Sequence, residues 1–185
     1  MFNKIDFKRS IASKKIVWEG NGFSSKYFML LMPAGWITIA LIVIVKNGQL
    51  STLLDLPKPF LISLPIACSI ALVSFCFIRK NDKFEEININ INQDQLRKII
   101  EPELIKLGWK VQRSSSKFMT ITRRKWYATE SRSAILFNGK SAFINVQNAT
   151  GNGGYFPFSF GRNKKLTDQL IKLINYIQLN QPNLT

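Results

Sequence analysis

The sequence predicts an α+β protein: an N-terminal two-helix transmembrane hairpin, then a small cytosolic domain ordered helix, antiparallel meander of three to five strands, helix. Three observations predict it. Residues 28–45 and 60–78 are uncharged apolar runs of 18 and 19 residues, near the ~20 that a helix needs to cross ~30 Å of hydrocarbon. Lys4, Lys8, Arg9, Lys14, Lys15 and Lys26 precede the first run, and Arg79, Lys80 and Lys83 follow the second. Beyond residue 79 the apolar residues recur at alternating or helical spacing, with turn-forming residues between.

Taken in order, residues 1–27 read as a basic cytosolic segment. Residues 28–45 are the first span, 46–59 a short external connector, and 60–78 the second span. The first run begins too far into the chain, and is too long, for the ~7 to 15 residue apolar region of a cleaved signal peptide. The cation excess on both flanks predicts a bacterial inner (cytoplasmic) membrane protein, multi-pass, with both termini in the cytosol. Neither run contains an ionisable residue of the kind that lines a proton or ion path, which argues against a pump or transporter. Ser63, Ala67 and Ala71 repeat every four residues and form a small-residue stripe for helix packing, within the hairpin or between copies. Cys68 and Cys76 are eight residues apart on one helix, ~12 Å along its axis, and cannot pair with each other.

The remaining segment, 79–185, carries 18 Lys and Arg against 8 Asp and Glu. Alternating Ile87, Ile89 and Ile91 predict a short strand or an extended linker. Asn92 with Gln95 forms a capping-box pattern ahead of a helix over 93–107, where Leu96, Ile99, Ile100, Leu104 and Leu107 share a face and Pro102 bends or splits it. "WKVQR" and "KFMTITRR" alternate as strands about the turn at Ser114–Ser116. In "SAILFNGKSAFINV", Asn138 and Gly139 predict a two-residue type I′ hairpin. "YFPFSF" reads as an edge strand limited by Pro157. Asn163 caps a last helix with Leu166, Leu170, Leu173, Ile174 and Ile177 on one face.

For chemistry the chain is poor. It has no histidine, so the commonest general base and metal ligand is missing. Both cysteines lie in the second apolar run, and the carboxylates are scattered. "SSSK" at 114–117 has Ser-x-x-Lys spacing but sits in a turn rather than on a helix. "GNGG" at 151–154 lacks the direct strand, loop and helix succession of a phosphate loop. We therefore expect no enzyme, no metal and no cofactor.

Two basic groups are the anion-binding candidates. Arg162, Asn163, Lys164 and Lys165 crowd the first turn of the last helix, where free amides already favour negative charge and extra cations oppose the helix dipole. Arg123, Arg124 and Lys125 run into Trp126 and Tyr127 at a strand end. Trp126 is expected to fold back onto the core, and nucleic-acid stacking on these rings ranks third, behind a membrane surface and an acidic protein partner.

"KKIVWEGNGFSSKYFMLLMPAGWITIALIVIV", residues 14–45, resembles the start of the membrane hairpin in bacterial pleckstrin-homology-like two-span membrane proteins, which place a Trp-Glu-Gly element before two spans. Past Ile78 the helix-first order departs from that family's barrel of strands. The later part is similar to uncharacterised small domains of two-span bacterial proteins, which implies no activity. The expectation is a non-enzymatic inner-membrane-anchored protein whose basic domain binds a protein partner or an anionic ligand or headgroup. Its partners would be the lipid bilayer, another protein or further copies of itself, and an anionic lipid or small anion, with nucleic acid disfavoured. The competing class is a membrane effector whose hairpins oligomerise when the cytosolic domain senses a signal.

Overall fold

A computed structural model describes residues 5–17, 34–39, 42, 45–46, 58–124, 129–149 and 158–180. Its centre is a five-stranded antiparallel sheet. In chain order the elements are α1 (Phe7–Ser13), α2 (Lys58–Asn81), β1 (Glu85–Asn88), α3 (Gln93–Lys106), β2 (Lys110–Ser114), β3 (Phe118–Arg123), β4 (Glu130–Asn138), β5 (Ser141–Ala149) and α4 (Arg162–Asn180). The strand order β1-β5-β4-β3-β2 is a four-strand meander with β1 added beside its last strand. β1 and β2 thus occupy opposite edges, and α3 carries the chain between them.

The predicted helix, meander, helix order is present. Asn92 caps α3 by accepting a hydrogen bond from the Asp94 amide at 2.9 Å, whereas Oε1 of Gln95, the expected return half of the capping box, is buried and unbonded. Pro102 lies inside α3, which continues unbroken to Lys106. The turn at Ser115 forms as expected: its amide donates to the Phe118 carbonyl at 2.9 Å. The β4–β5 hairpin forms one residue further along than predicted. Asn138 pairs with Ser141, which leaves Gly139 and Lys140 as the loop. Gly139 has φ +61° and Lys140 is not in the positive-φ region, the glycine-first arrangement of a II′ turn rather than the Asn-Gly I′ turn. This register sets Leu136 opposite Phe143 and Ile135 opposite Ile144, so the apolar pairs outweigh the local turn preference.

Alternation along the strands sends two sets of side chains to opposite faces. Met119, Ile121, Ile135, Phe137, Ile144 and Val146 meet Leu96, Ile100 and Leu104 of α3 and Leu166, Leu170 and Ile174 of α4 in the main core. Trp109 closes this core at 3% exposure; Trp126, expected in that role, lies outside the described residues. On the other face Ala134, Leu136 and Phe143 meet Ile5 and Ile16, with Phe7, Ile11, Phe84 and Phe118 at the margin. The basic N-terminal segment therefore supplies the second layer of the sheet. It is held there by backbone bonds from Ile16 N to the Asp82 carbonyl and from Phe84 N to the Lys14 carbonyl.

The transmembrane hairpin is corrected. Among the described residues no helix is long and apolar enough to cross a membrane, and the multi-pass inner-membrane placement fails with it. Most of 28–45 lies outside the described residues, and 34–39 are helical. The second run does form a helix, α2, but its last turns belong to the α+β domain. Ser74 and Ile78, four residues apart on one side, are fully buried, and Phe77 packs on Phe158 with ring centroids 5.4 Å apart. The apolar stretch ahead of those turns, 60–73, covers ~21 Å as a helix, short of ~30 Å. Ser63, Ala67 and Ala71 are its half-buried side, while Ile62, Ile66 and Ile70 are exposed. The effector alternative depends on membrane-embedded hairpins and is not carried forward.

Ile135 is fully buried between both helices and the sheet, so Ile135→Ala should lower unfolding free energy by about 3 kcal/mol in urea titration. Lys14 donates to Oε2 of Glu86 at 3.1 Å and Ser141 to Oε1 at 3.2 Å. The Lys14 hydrogen bond, reinforced by the Ser141 bond and the Lys14 charge and opposed by desolvation, holds the Glu86 carboxyl below its ordinary 4.5. A carboxyl lowered on folding contributes stability above its unfolded pKa and loses it as pH falls through the folded value. An NMR titration should give Glu86 a midpoint under 4.5, and Lys14→Met should raise it.

Candidate functional site

β1 has four residues and β5 has nine, so β1 covers β5 only from Ser141 to Ile144. Past Ile144, the corner between α2 and β1 runs along the edge of β5 instead of a strand. Asn145 fixes that corner: its Nδ2 donates to the Asn81 carbonyl and to the Lys83 carbonyl, both at 2.7 Å. With both amide hydrogens committed, the orientation of the carboxamide is determined, because reversing it would press Oδ1 against two carbonyl oxygens. Beside it, Gln147 donates to Oδ1 of Asp82 at 3.3 Å.

α4 begins against this edge. Phe160 and Gly161, with φ of +46° and +81°, turn the chain sharply into the helix, a conformation glycine takes freely and phenylalanine does not. The Lys165 amide donates to the Gly161 carbonyl at 3.0 Å. The amides of Asn163 and Lys164 precede that bond, among those that no carbonyl of the helix can reach.

Between the two pieces lies a cleft of about 260 Å³. Lys80, Asn81, Lys83 and Glu85 form one wall, Asn163, Lys164, Thr167 and Asp168 the other, and Ile144, Asn145 and Val146 the floor. Asn163 is 7% exposed, and neither its Oδ1 nor its Nδ2 has a hydrogen-bond partner. Oδ1 of Asn145, at 3% exposure, is also unbonded. A buried amide atom without a partner costs ~1 to 3 kcal/mol, and such atoms in a native fold call for an explanation. Both residues border the cleft, and Lys80, Lys83 and Lys164 stand around it at the helix N-terminus, an arrangement suited to a negatively charged ligand.

The predicted basic groups divide. Asn163 and Lys164 enter the cleft. Arg162 turns away, its Nη1 donating to the Thr129 hydroxyl at 3.4 Å. Lys165 faces a separate surface depression with Gly161, Lys164, Asp168, Gln169 and Lys172. At the other site Arg123 lies over the Trp109 ring, 5.9 Å from its centroid, and so seals the core rather than joining the cleft. Arg124 is exposed and Lys125 lies outside the described residues. Lys80 and Lys83, read from sequence only as the flank of an apolar run, are the cleft's other cations. Asn145, in the middle of a strand, carried no sequence signal for its role, because its importance comes from where β1 stops. Among the described residues no cluster of His, Cys, Asp and Glu could hold a metal ion.

No family model and no curated protein matches this chain, so the functional reading is built on the geometry of the cleft.

Proposed function

We propose that this chain is a non-enzymatic binding protein whose basic α+β domain takes an anionic ligand in the cleft between the α2–β1 corner and the start of α4. The carrying observation is Asn163: a carboxamide buried at a helix N-terminus with both polar atoms unbonded, flanked by Lys80, Lys83 and Lys164. An anion seated there would accept from the Asn163 amide group, from the first-turn backbone amides and from the lysines, so one group would answer several unsatisfied donors. The absence of histidine from the chain and the lack of any nucleophile and base pair in the cleft favour binding over turnover.

Inorganic phosphate is the simplest probe. Calorimetric titration of the full chain should show saturable binding that weakens with added salt, and phosphate should raise Tm by mass action. Lys83→Gln and Lys164→Gln should each weaken binding about five- to tenfold, the loss of one charge-assisted contact. Lys172→Gln, in the neighbouring depression, should leave it unchanged. Absence of saturable binding, or equal loss in all three variants, would sink the reading.

A further inference from the structure

α2 leaves a long apolar face uncovered. Ile62, Ile66, Ile70, Val73 and Phe77 recur at helical spacing on one stripe, and all five are exposed. Leu72 beside them is 67% exposed, and Cys76 is exposed as well. Among the exposed side chains described between 62 and 77, Ser69 has the only hydroxyl, which donates to the Pro65 carbonyl at 2.8 Å. The one hydroxyl hydrogen on this face is therefore used within the helix. The apolar surface also continues past the helix. Phe77 packs on Phe158, and Phe158 stacks on Phe160 with ring centroids 6.4 Å apart. Phe160 is 94% exposed and held at φ +46°, so the fold keeps a strained residue with its ring in water.

An apolar surface of this extent marks a docking face for a protein or a lipid layer, and two observations choose the lipid. The first is charge. Arg79 and Lys80 are exposed at the end of the stripe, with the Arg79 guanidinium over the Phe75 ring at 5.5 Å from its centroid. Lys164 and Lys165 are exposed a turn beyond Phe160, and Lys164 borders the same cleft as Lys80. The stripe thus ends among cations, on a chain of net charge +15, which repels a second copy and is drawn to an anionic surface. The second is shape. From Leu72 round to Ile70 the exposed arc is about 160° wide at ~100° per residue, broader than the seam that a protein groove closes on and suited to fluid hydrocarbon.

We infer that α2 docks on an anionic lipid surface and lies along it without crossing. The Ile62 to Phe77 stripe and Phe160 sit at the boundary of headgroups and acyl chains, and Arg79, Lys80, Lys164 and Lys165 meet the phosphates. This surface is separate from the cleft reading and does not depend on it.

The probes are vesicles of phosphatidylcholine alone and of equal parts phosphatidylcholine and phosphatidylglycerol, with binding of the full chain read by co-flotation. Binding should be at least tenfold tighter to the anionic vesicles, and part of it should survive salt that screens the lysines. Ile66→Gln combined with Ile70→Gln should weaken it at least tenfold, and Phe160→Gly about fivefold. These positions are exposed and glycine takes a positive φ freely, so the fold is kept; none of them borders the cleft, so phosphate binding should not change. In a Cys68→Ala chain, a polarity-sensitive dye on Cys76 should shift to the blue on the anionic vesicles. Binding that salt abolishes, with the dye unshifted, would reduce the contact to charge alone and overturn the inference, as would full binding by the double Gln variant or binding to neither vesicle. A dimer that ignores both vesicles and that the double Gln variant separates would assign the face to a second copy and overturn it too.

Discussion

The Asn145 amide, donating at once to the carbonyls of Asn81 and Lys83, is the joint on which the rest of the arrangement depends. It turns the end of α2 along the uncovered edge of β5 and sets the direction from which β1 enters the sheet. Asp82, between those two carbonyls, and Phe84, just past them, then become available to the N-terminal layer: the Ile16 amide finds the Asp82 carbonyl, and the Phe84 amide finds the Lys14 carbonyl. One side chain in a strand therefore joins a long helix, an edge strand and the second apolar layer. Its remaining oxygen is buried and unbonded.

The two faces of the sheet do different work. Aliphatic side chains from α3 and α4 pack on one face around Ile135 and Ile144, and burial of this kind contributes most of the stability of a small domain. The other face mixes Ala134, Leu136 and Phe143 with the buried polar side chains of Thr120, Thr122, Asn145 and Gln147. Such a face stabilises less and specifies position more, through the bonds that Asn145 makes to the Asn81 and Lys83 carbonyls and Gln147 to Asp82. The cleft opens where the polar row reaches the sheet edge.

Local periodicity made much of the α+β domain legible. The spacing of Leu96, Ile100 and Leu104 and of Leu166, Leu170 and Ile174 identified two helices, and alternation around Ile121 and Ile135 identified the strands. The hairpin register was missed by one residue because Asn-Gly is a strong local signal, and the cross-strand pairing of Leu136 with Phe143 outweighs it. The hairpin of spans was misread because hydropathy is summed along the chain, whereas Ser74 and Ile78 are buried by contacts that a linear window does not register. Half of the cleft was visible in Asn163 and Lys164. The other half comes from residues 80 to 85 and 145, brought there by the length of β1, which no motif encodes.

β1 also has a kinetic meaning. Its partner residues in β5 lie on the far side of a helix and three strands, so the pairing closes a large loop, and such contacts form late because the chain entropy is lost before the contact compensates it. The β4–β5 hairpin, joined by two residues, has no such delay. The cleft needs the α2–β1 corner, β5 and α4 together, so it is complete only once these long-range contacts have closed. A ligand bound there would act on the unfolding rate far more than on the folding rate, and occupancy would set how long the assembled molecule lasts rather than how quickly it is made.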